Sequence, residues 1–392
     1  MKNIKDLKDL NNKKILLRLD LNVPLKEGKI TDTTRIDKIL PTLNFLISKN
    51  SKIIILSHIG RPKGKIVEEL SLKPVCEDLQ NKIKEDIILI SKDLKQIQSR
   101  DLFKNSDEKV IMLENLRFYE EEEKNCEEFS KHLSTFADLY VNDAFSCSHR
   151  AHSSVDKITK FIPSYSGLHL DMEINALKKL TSEIKKPISF IIGGSKISTK
   201  INIIKNLIPK FNNIIIVGGM ANNILEYKGH KIGKSLKEDN AKKIIDEIFQ
   251  LSNAQNCKIY YPEDVVVGKE LDGSAKIKNL NEVLDDDLIL DIGPRTIKSI
   301  NEIIENSQTI LWNGPAGFFE NSNFAKGSFE IGKKIAEKNK LNQIFSVAGG
   351  GETIALLNSI GIFNNFNFVS TAGGAFLEYL EGKELPGIKA LN

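Results

Sequence analysis

Residues able to grip anions fall into two unlike groups along this chain. The first 152 residues carry isolated Arg and His residues in short motifs: Arg35, His58 with Arg61, Arg117, and His149-Arg150 with His152. A guanidinium fork holds a carboxylate or phosphate through two parallel hydrogen bonds. Residues 193–374 carry glycine turns instead: Gly193-Gly194, Gly218-Gly219, Gly349-Gly350-Gly351 and Gly373-Gly374. A glycine turn between a strand and a helix lets backbone N–H groups approach phosphates. Two anion-holding chemistries imply two ligands, one small and strongly negative, the other a nucleotide.

Each motif has a plainer reading beside the functional one. In Arg18-Leu-Asp-Leu-Asn-Val-Pro24, Asp20 and Asn22 lie two apart, on the same side of an extended chain. Alone, the pair reads first as an Asx turn that stops a strand. In Ser57-His-Ile-Gly-Arg-Pro62, Gly60 allows a tight turn, Arg61 offers a fork and Pro62 stops the chain. A solvated arginine and a hydrogen-bonded histidine would look the same. Leu113-Glu-Asn-Leu-Arg-Phe118 and Ser148-His-Arg-Ala-His-Ser153 repeat the pattern. Several such groups at strand ends of one sheet, with Arg35 just before a helical run, outweigh the plain reading of any one.

Ile191-Ile-Gly-Gly-Ser-Lys-Ile-Ser-Thr-Lys200 is not a P-loop, since it lacks GxxxxGK[ST]. Its spacing predicts Lys196 and Lys200 on one helix face near the N-terminus. There they would repel by about 0.2–0.5 kcal/mol, and the helix's positive end adds to the penalty. A bound anion reverses both effects; the alternative is two solvated lysines. Trp312-Asn-Gly-Pro-Ala-Gly-Phe-Phe-Glu320 holds the only Trp. Val347-Ala-Gly-Gly-Gly-Glu-Thr-Ile354 offers successive backbone donors to phosphates while Glu352 faces a Mg²⁺ ion. Glu352 and Thr353 are equally compatible with an ordinary first helical turn. Ser370-Thr-Ala-Gly-Gly-Ala375 is a further strand–glycine–helix junction.

The elements that must position these groups alternate. Strand-like runs recur at Ile15–Leu19, Lys52–Ser57, Ile87–Ile90, Val110–Leu113 and Leu139–Asn142, then at Ile188–Ile192, Asn213–Val217, Thr309–Trp312, Ile344–Val347 and Phe366–Ser370. Helical spacing lies between several of them. This predicts an α/β protein with parallel sheets covered on both faces and ligands beyond the carboxyl ends of strands. Between the two series, Leu170, Ile174, Leu177 and Leu180 recur at three- and four-residue spacing. That predicts a connecting helix over 168–181, a hinge candidate.

Composition narrows the classes. At 392 residues two domains are expected. A hydrophobic content of 41% and a charged content of 28% describe a soluble globular protein, and no apolar run approaches a membrane span. The net charge of +4 is modest and dispersed, which argues against nucleic acid as a partner. Four cysteines without CxxC spacing and a charged N-terminus fit a cytoplasmic protein with neither a zinc site nor a disulfide framework.

Nine motifs together resemble the phosphoglycerate kinase family: RLDLNVP, SHIGRP, LENLRF, SHRAHSS, GGSKISTK, DIGPRT, WNGPAGFFE, GGGET and STAGGAFLEYLEGK, in family order from residue 18 to 383. The resemblance implies two facing Rossmann-like domains joined by a hinge helix, a monomer, and phosphoryl transfer between 1,3-bisphosphoglycerate and ADP with Mg²⁺. It implies a 3-phosphoglycerate domain at 1–168, with 380–392 packing back on it, and a nucleotide domain at 169–379 that opens with the hinge helix 169–181. Substrate contacts are implied at Asp20, Leu21, Asn22, Arg35, His58, Ile59, Gly60, Arg61, Arg117 and Arg150, the Arg and His residues forming a basic cluster. Nucleotide contacts are implied at Lys196, Lys200, Gly218, Gly219, Asn313, Glu320, Gly349, Gly350, Gly351, Glu352 and Thr353, with Glu352 on the metal. Arg35, Lys200, Gly373 and Gly374 are implied at the transferring phosphoryl group. Two positions depart from the family pattern: Glu352 stands where Asp is usual, and Ala372 where a first glycine is usual.

The reaction needs no general base, since neither an ADP phosphate oxygen nor a carboxylate has a proton to remove. In-line positioning and charge stabilisation suffice. Rival readings are a different ATP-dependent carboxylate kinase, a dinucleotide oxidoreductase, which lacks its GxGxxG fingerprint here, and a non-enzymatic binding surface.

Overall fold

The computed structural model describes residues 1–105 and 107–392. Seventeen strands occur in the described chain: β1 (Lys14–Arg18), β2 (Leu25–Lys26), β3 (Lys29–Ile30), β4 (Lys52–Leu56), β5 (Ile87–Ile90), β6 (Val110–Leu113), β7 (Leu139–Asn142), β8 (Ser164–Ser166), β9 (Ile188–Ile192), β10 (Asn213–Ile216), β11 (Lys258–Tyr260), β12 (Asp264–Gly268), β13 (Lys276–Asn279), β14 (Leu288–Ile292), β15 (Thr309–Asn313), β16 (Phe345–Gly349) and β17 (Phe368–Ser370). The chain divides into two compact units, Met1–Asn175 with Glu384–Asn392, and Ala176–Lys383. The division falls inside the helix Leu168–Thr181. Among the described residues no helix is long and apolar enough to cross a membrane.

The first unit is built on a six-stranded sheet in the order β5-β6-β4-β1-β7-β8, parallel throughout. Between their ends the central strands β1 and β4 are apolar at every position, because both faces are covered. Ile15, Leu17, Ile53 and Ile55 enter one core, while Leu16, Ile54, Ile111 and Tyr140 enter the other. The chain leaves β1 for one side of the sheet and returns to β7 on the other. The crevice at the carboxyl end of β1 is therefore the place where such sheets hold ligands. The C-terminal residues belong to this unit: Gly387 donates its amide to the Ser148 carbonyl at 2.9 Å.

The second unit repeats the plan with the order β11-β10-β9-β15-β16-β17, again parallel. Ile191, Ile215, Ile310 and Trp312 share one core, and its reversal point lies between β9 and β15. A separate antiparallel sheet, β13-β12-β14, belongs to this unit. The sequence reading did not anticipate it. β13 reads Lys-Ile-Lys-Asn and is largely exposed, so it carries no apolar run, and only its pairing to β12 makes it a strand. The short edge strands β8 and β11 escape for the same reason.

Candidate functional site

In the first unit, the parallel register places Arg18 beside Leu56 and Asn142. The loops that leave β1, β4 and β7 therefore emerge together. Asp20 does what its plain reading predicts, since Oδ1 accepts the Asn22 amide at 3.1 Å. It also anchors Arg35, whose Nη1 lies 3.0 Å from Asp20 Oδ2 and donates to the Asn22 carbonyl at 3.0 Å. The Ser146 hydroxyl donates to the same carboxylate. Asn22 Oδ1 accepts the Gly60 amide at 2.9 Å, and the Gly60 carbonyl accepts Arg117 Nη1 at 2.8 Å. Leu21 and Ile59 are buried in the core. Arg61 is exposed, and Arg150 is half-buried with Nε 3.2 Å from His149 Nε2.

His58 joins the cluster as a neutral ring rather than as a cation. Its Nδ1 accepts Arg18 Nη2 at 3.0 Å, which leaves the proton on Nε2. Burial first, then Arg18, Arg117, His152 and Arg35, hold its pKa well below the usual histidine value. His152 is pushed down to about 3, by burial and then by Arg117, Arg18 and Arg150. Mutual depression of neutral bases by guanidinium groups marks a site short of negative charge. Asp20, His58 and Cys147 bring possible metal ligands within 4.8 Å of one another. Because Arg18 already fills the His58 lone pair, the place favours an anion over a metal cation.

The sequence reading missed Arg18 as a site residue. It is 1% exposed, with Nε donating to Ser154 Oγ at 2.9 Å. Glu122, also 1% exposed, accepts the Ser154 hydroxyl at 2.6 Å and balances the Arg18 charge. The available signal was a charged residue closing the apolar run Ile15-Leu-Leu-Arg18. Asn115 was missed too; its Nδ2 holds the Ile59 and Leu70 carbonyls at 2.8 and 2.9 Å and so shapes the His58–Arg61 loop.

In the second unit, Lys196 and Lys200 are not on a helix. They belong to the turn that follows Gly193-Gly194, and the helix begins only at Ile201. The predicted repulsion across a helix face therefore does not arise. Lys200 is half-buried and donates to Asn313 Oδ1 at 2.8 Å. Burial lowers its pKa, while the Glu352 and Glu381 carboxylates oppose the shift. Asn313 is a hub at the end of β15, with Nδ2 donating to the Gly349 carbonyl at 2.6 Å. Thr353 is fully buried, and its hydroxyl accepts the Gly314 amide at 2.8 Å. Its side chain is therefore committed to Gly314.

Three helices of this unit, Gly219–Tyr227, Gly351–Ser359 and Gly374–Leu380, open with a glycine N-cap in the positive-φ region: Gly218 at φ +66°, Gly350 at +100° and Gly373 at +56°. A helix leaves its first amides without intrahelical acceptors, and a glycine cap supplies no side-chain oxygen to satisfy them. Ala372 is tolerated beside Gly373 because the positive φ falls on the glycine and not on the alanine. A cavity of about 480 Å³ is lined by Gly218, Gly219, Leu236, Pro315, Phe318, Glu320 and Glu352, a size suited to a small-molecule ligand. Glu320 and Glu352 are both exposed on its wall.

A guanidinium cluster in one parallel α/β unit, and helix N-termini at a cavity in another, are the equipment a phosphotransferase needs. The family model described as phosphoglycerate kinase matches residues 4–383. A phosphoglycerate kinase of Wolbachia pipientis wMel is 44% identical over 385 residues, 98% of this chain and 96% of that protein. One from Chelativorans sp. is 40% identical over 392 residues, 100% of this chain and 98% of that protein. Among solved structures, phosphoglycerate kinase from Coxiella burnetii aligns with a TM-score of 0.91 at 37% identity, covering 99% of this chain and 98% of that one. The chain belongs to the phosphoglycerate kinase family. It is an ATP-dependent phosphotransferase that transfers a phosphoryl group reversibly between 1,3-bisphosphoglycerate and ADP, a glycolytic reaction.

Proposed function

We propose that the first unit holds the three-carbon acid and the second the nucleotide. Arg35, Arg61, Arg117 and Arg150, with His58 as a neutral donor and Asp20 and Asn22 on the glycerate, grip 3-phosphoglycerate. Lys196, Lys200, Gly349–Gly351 and Thr353, with Asn313 holding Lys200 and the Gly349 carbonyl, take the nucleotide phosphates, and Gly218, Gly219 and Glu320 line the nucleoside end. Arg35 and Lys200, with the Gly373 and Gly374 amides, stabilise the phosphoryl group in flight. The observation that carries this reading is the set of three helix N-termini capped by positive-φ glycines in one unit, one of them linked to Lys200 through Asn313.

The single exposed carboxylate of Glu352, in the first turn of Gly351–Ser359, fits Mg²⁺, which is commonly held by one or two carboxylates plus phosphates. An ion held there by Glu352 would supply charge neutralisation at the phosphates. Acyl phosphates hydrolyse readily, so closure of the domains over both reactants excludes water. Scattering radii that do not change when both substrates are added would count against closure. The protein works as a cytoplasmic monomer, which light scattering of the purified chain checks.

The test is turnover of MgATP and 3-phosphoglycerate with the acyl phosphate trapped as a hydroxamate. Lys200→Ala and Arg35→Ala each lower kcat by about 10²-fold or more while the protein stays folded. Near-normal turnover in either variant refutes that residue's role.

A further inference from the structure

Lys196 and Lys200 lie in a turn that the neighbouring helix does little to hold. That helix, Ile201–Leu207, has Lys200 as its N-cap, and among the described residues no side chain caps it. Within the turn Ile197 is buried, while Ser195, Lys196, Ser198 and Thr199 are exposed. Ordering an exposed turn costs conformational entropy at each residue, so it needs fixed partners outside itself. The turn is tied at its start, where the Gly194 carbonyl accepts the Met220 amide at 2.8 Å, and at its end, where Lys200 Nζ donates to Asn313 Oδ1. Between these points a carboxylate grips it. Glu238 Oε2 accepts the Ser198 amide at 2.9 Å, and Oε1 accepts the Ser198 hydroxyl.

Glu238 is itself fixed. Asn222 and Asn223 are neighbours on the helix Gly219–Tyr227, and they are 1% and 3% exposed. Asn223 Oδ1 accepts the Glu238 amide at 2.9 Å, and Asn222 Nδ2 donates to the Leu236 carbonyl at 2.9 Å. The segment from Leu236 to Glu238 is therefore pinned at both ends to buried side chains of one helix. A continuous path of hydrogen bonds runs from that helix through Glu238 to Ser198, two residues before Lys200. All of it lies within the second unit.

We propose that Glu238 is a positioning residue for Lys200: by holding Ser198 through both carboxylate oxygens it fixes the turn, and so sets where the Lys200 ammonium meets the phosphoryl group. Hydrogen bonds to an ionised acceptor are stronger than neutral ones, and two from one residue fix its orientation as well as its place. Without them the turn keeps its two ends and the buried Ile197, and its middle is free to shift. Lys200 is close enough in the chain to move with it, and a misplacement of about 1 Å can cost about 10²-fold in rate. The inference rests on the assignment of Lys200 above.

The decisive variant is Glu238→Ala, which removes both acceptors from a half-buried position. It keeps the fold and the wild-type KM for 3-phosphoglycerate, but kcat falls about tenfold or more. Glu238→Gln, which retains one acceptor oxygen, recovers part of that loss. A merely structural role is separated by a double-mutant cycle with Lys200→Ala. Once the ammonium is gone there is nothing left to misplace, so adding Glu238→Ala to Lys200→Ala changes kcat less than about twofold. An equal fall in both backgrounds overturns the proposal, because Glu238 then acts on something other than Lys200; so does a wild-type kcat in Glu238→Ala. If Glu238→Ala does not fold, Ser198→Ala gives the readout: a lowered kcat supports the proposal and an unchanged one overturns it. Lys200→Ala alone tells the two claims apart. If it is active, the assignment of Lys200 fails and the proposal with it; if it is inactive while Glu238→Ala is normal, only the positioning role fails.

Discussion

Gly193→Ala tests whether the nucleotide site depends on the close approach of β9 and β15. The Gly193 amide donates to the Asn313 carbonyl at 2.9 Å. A Cβ at Gly193 would lie 2.0 Å from the Pro315 carbonyl oxygen and 3.0 Å from Gly314 C and O. All three are backbone atoms, so no rotamer change relieves the contact. Restoring an ordinary C···O separation of about 3.3 Å requires the two loops to part by about 1.3 Å. That movement stretches the Gly193–Asn313 bond beyond hydrogen-bonding range. It also displaces Asn313 from Lys200, now 2.8 Å away, and moves Pro315 in the cavity wall. Overpacking at about 1–3 kcal/mol and one lost bond at about 1 kcal/mol give about 2–4 kcal/mol. If half of this is expressed in ligand affinity, Kd for MgADP rises roughly five- to thirtyfold. Calorimetric titration with MgADP measures it, and 3-phosphoglycerate affinity is the control, since none of these atoms belongs to the first unit. A folded variant with a wild-type MgADP Kd refutes the argument.

Arg18→Met leaves Glu122 buried without its balancing charge and should destabilise the first unit by about 3–5 kcal/mol at neutral pH. Burial already raises the Glu122 pKa, so protonation relieves the variant and the deficit shrinks as pH falls. Denaturant titrations showing a loss under about 1 kcal/mol contradict the pairing. Asp143 gives the stability of the first unit a pH dependence of defined sign. Burial pushes its pKa up to about 7 from 3.8, so the native state binds the proton more tightly than the unfolded chain does. The stability that proton brings is complete below about pH 4 and is lost as pH rises through 7, at about 1.4 kcal/mol for each pH step of one between those limits. Relative to wild type, Asp143→Asn should therefore gain stability as pH rises from 4 to 7. A difference that does not vary with pH shows that Asp143 does not titrate there.

The sequence by itself determined the parallel α/β class, the sites of most strands and the grouping of anion-binding motifs at strand ends. These follow from local physics: β-branched apolar runs suit strands covered on both faces, and glycine between strand and helix suits phosphate. It also determined the family, through nine ordered motifs. Tertiary structure decided how the residues divide the work. Asp20 is both an Asx-turn acceptor and the anchor of Arg35, because Thr34–Ser48 brings the guanidinium to it. His58 is neutral because it is buried and because Arg18, forty residues earlier, donates to its ring. Lys196 and Lys200 precede their helix, and the Thr353 hydroxyl is turned to Gly314. β13 exists only through its partner β12. Hydrophobic period and glycine placement are local and can be read along the chain. Protonation, hydrogen-bond partners and edge-strand pairing are set by groups brought near from distant sequence, and only the folded chain fixes those distances.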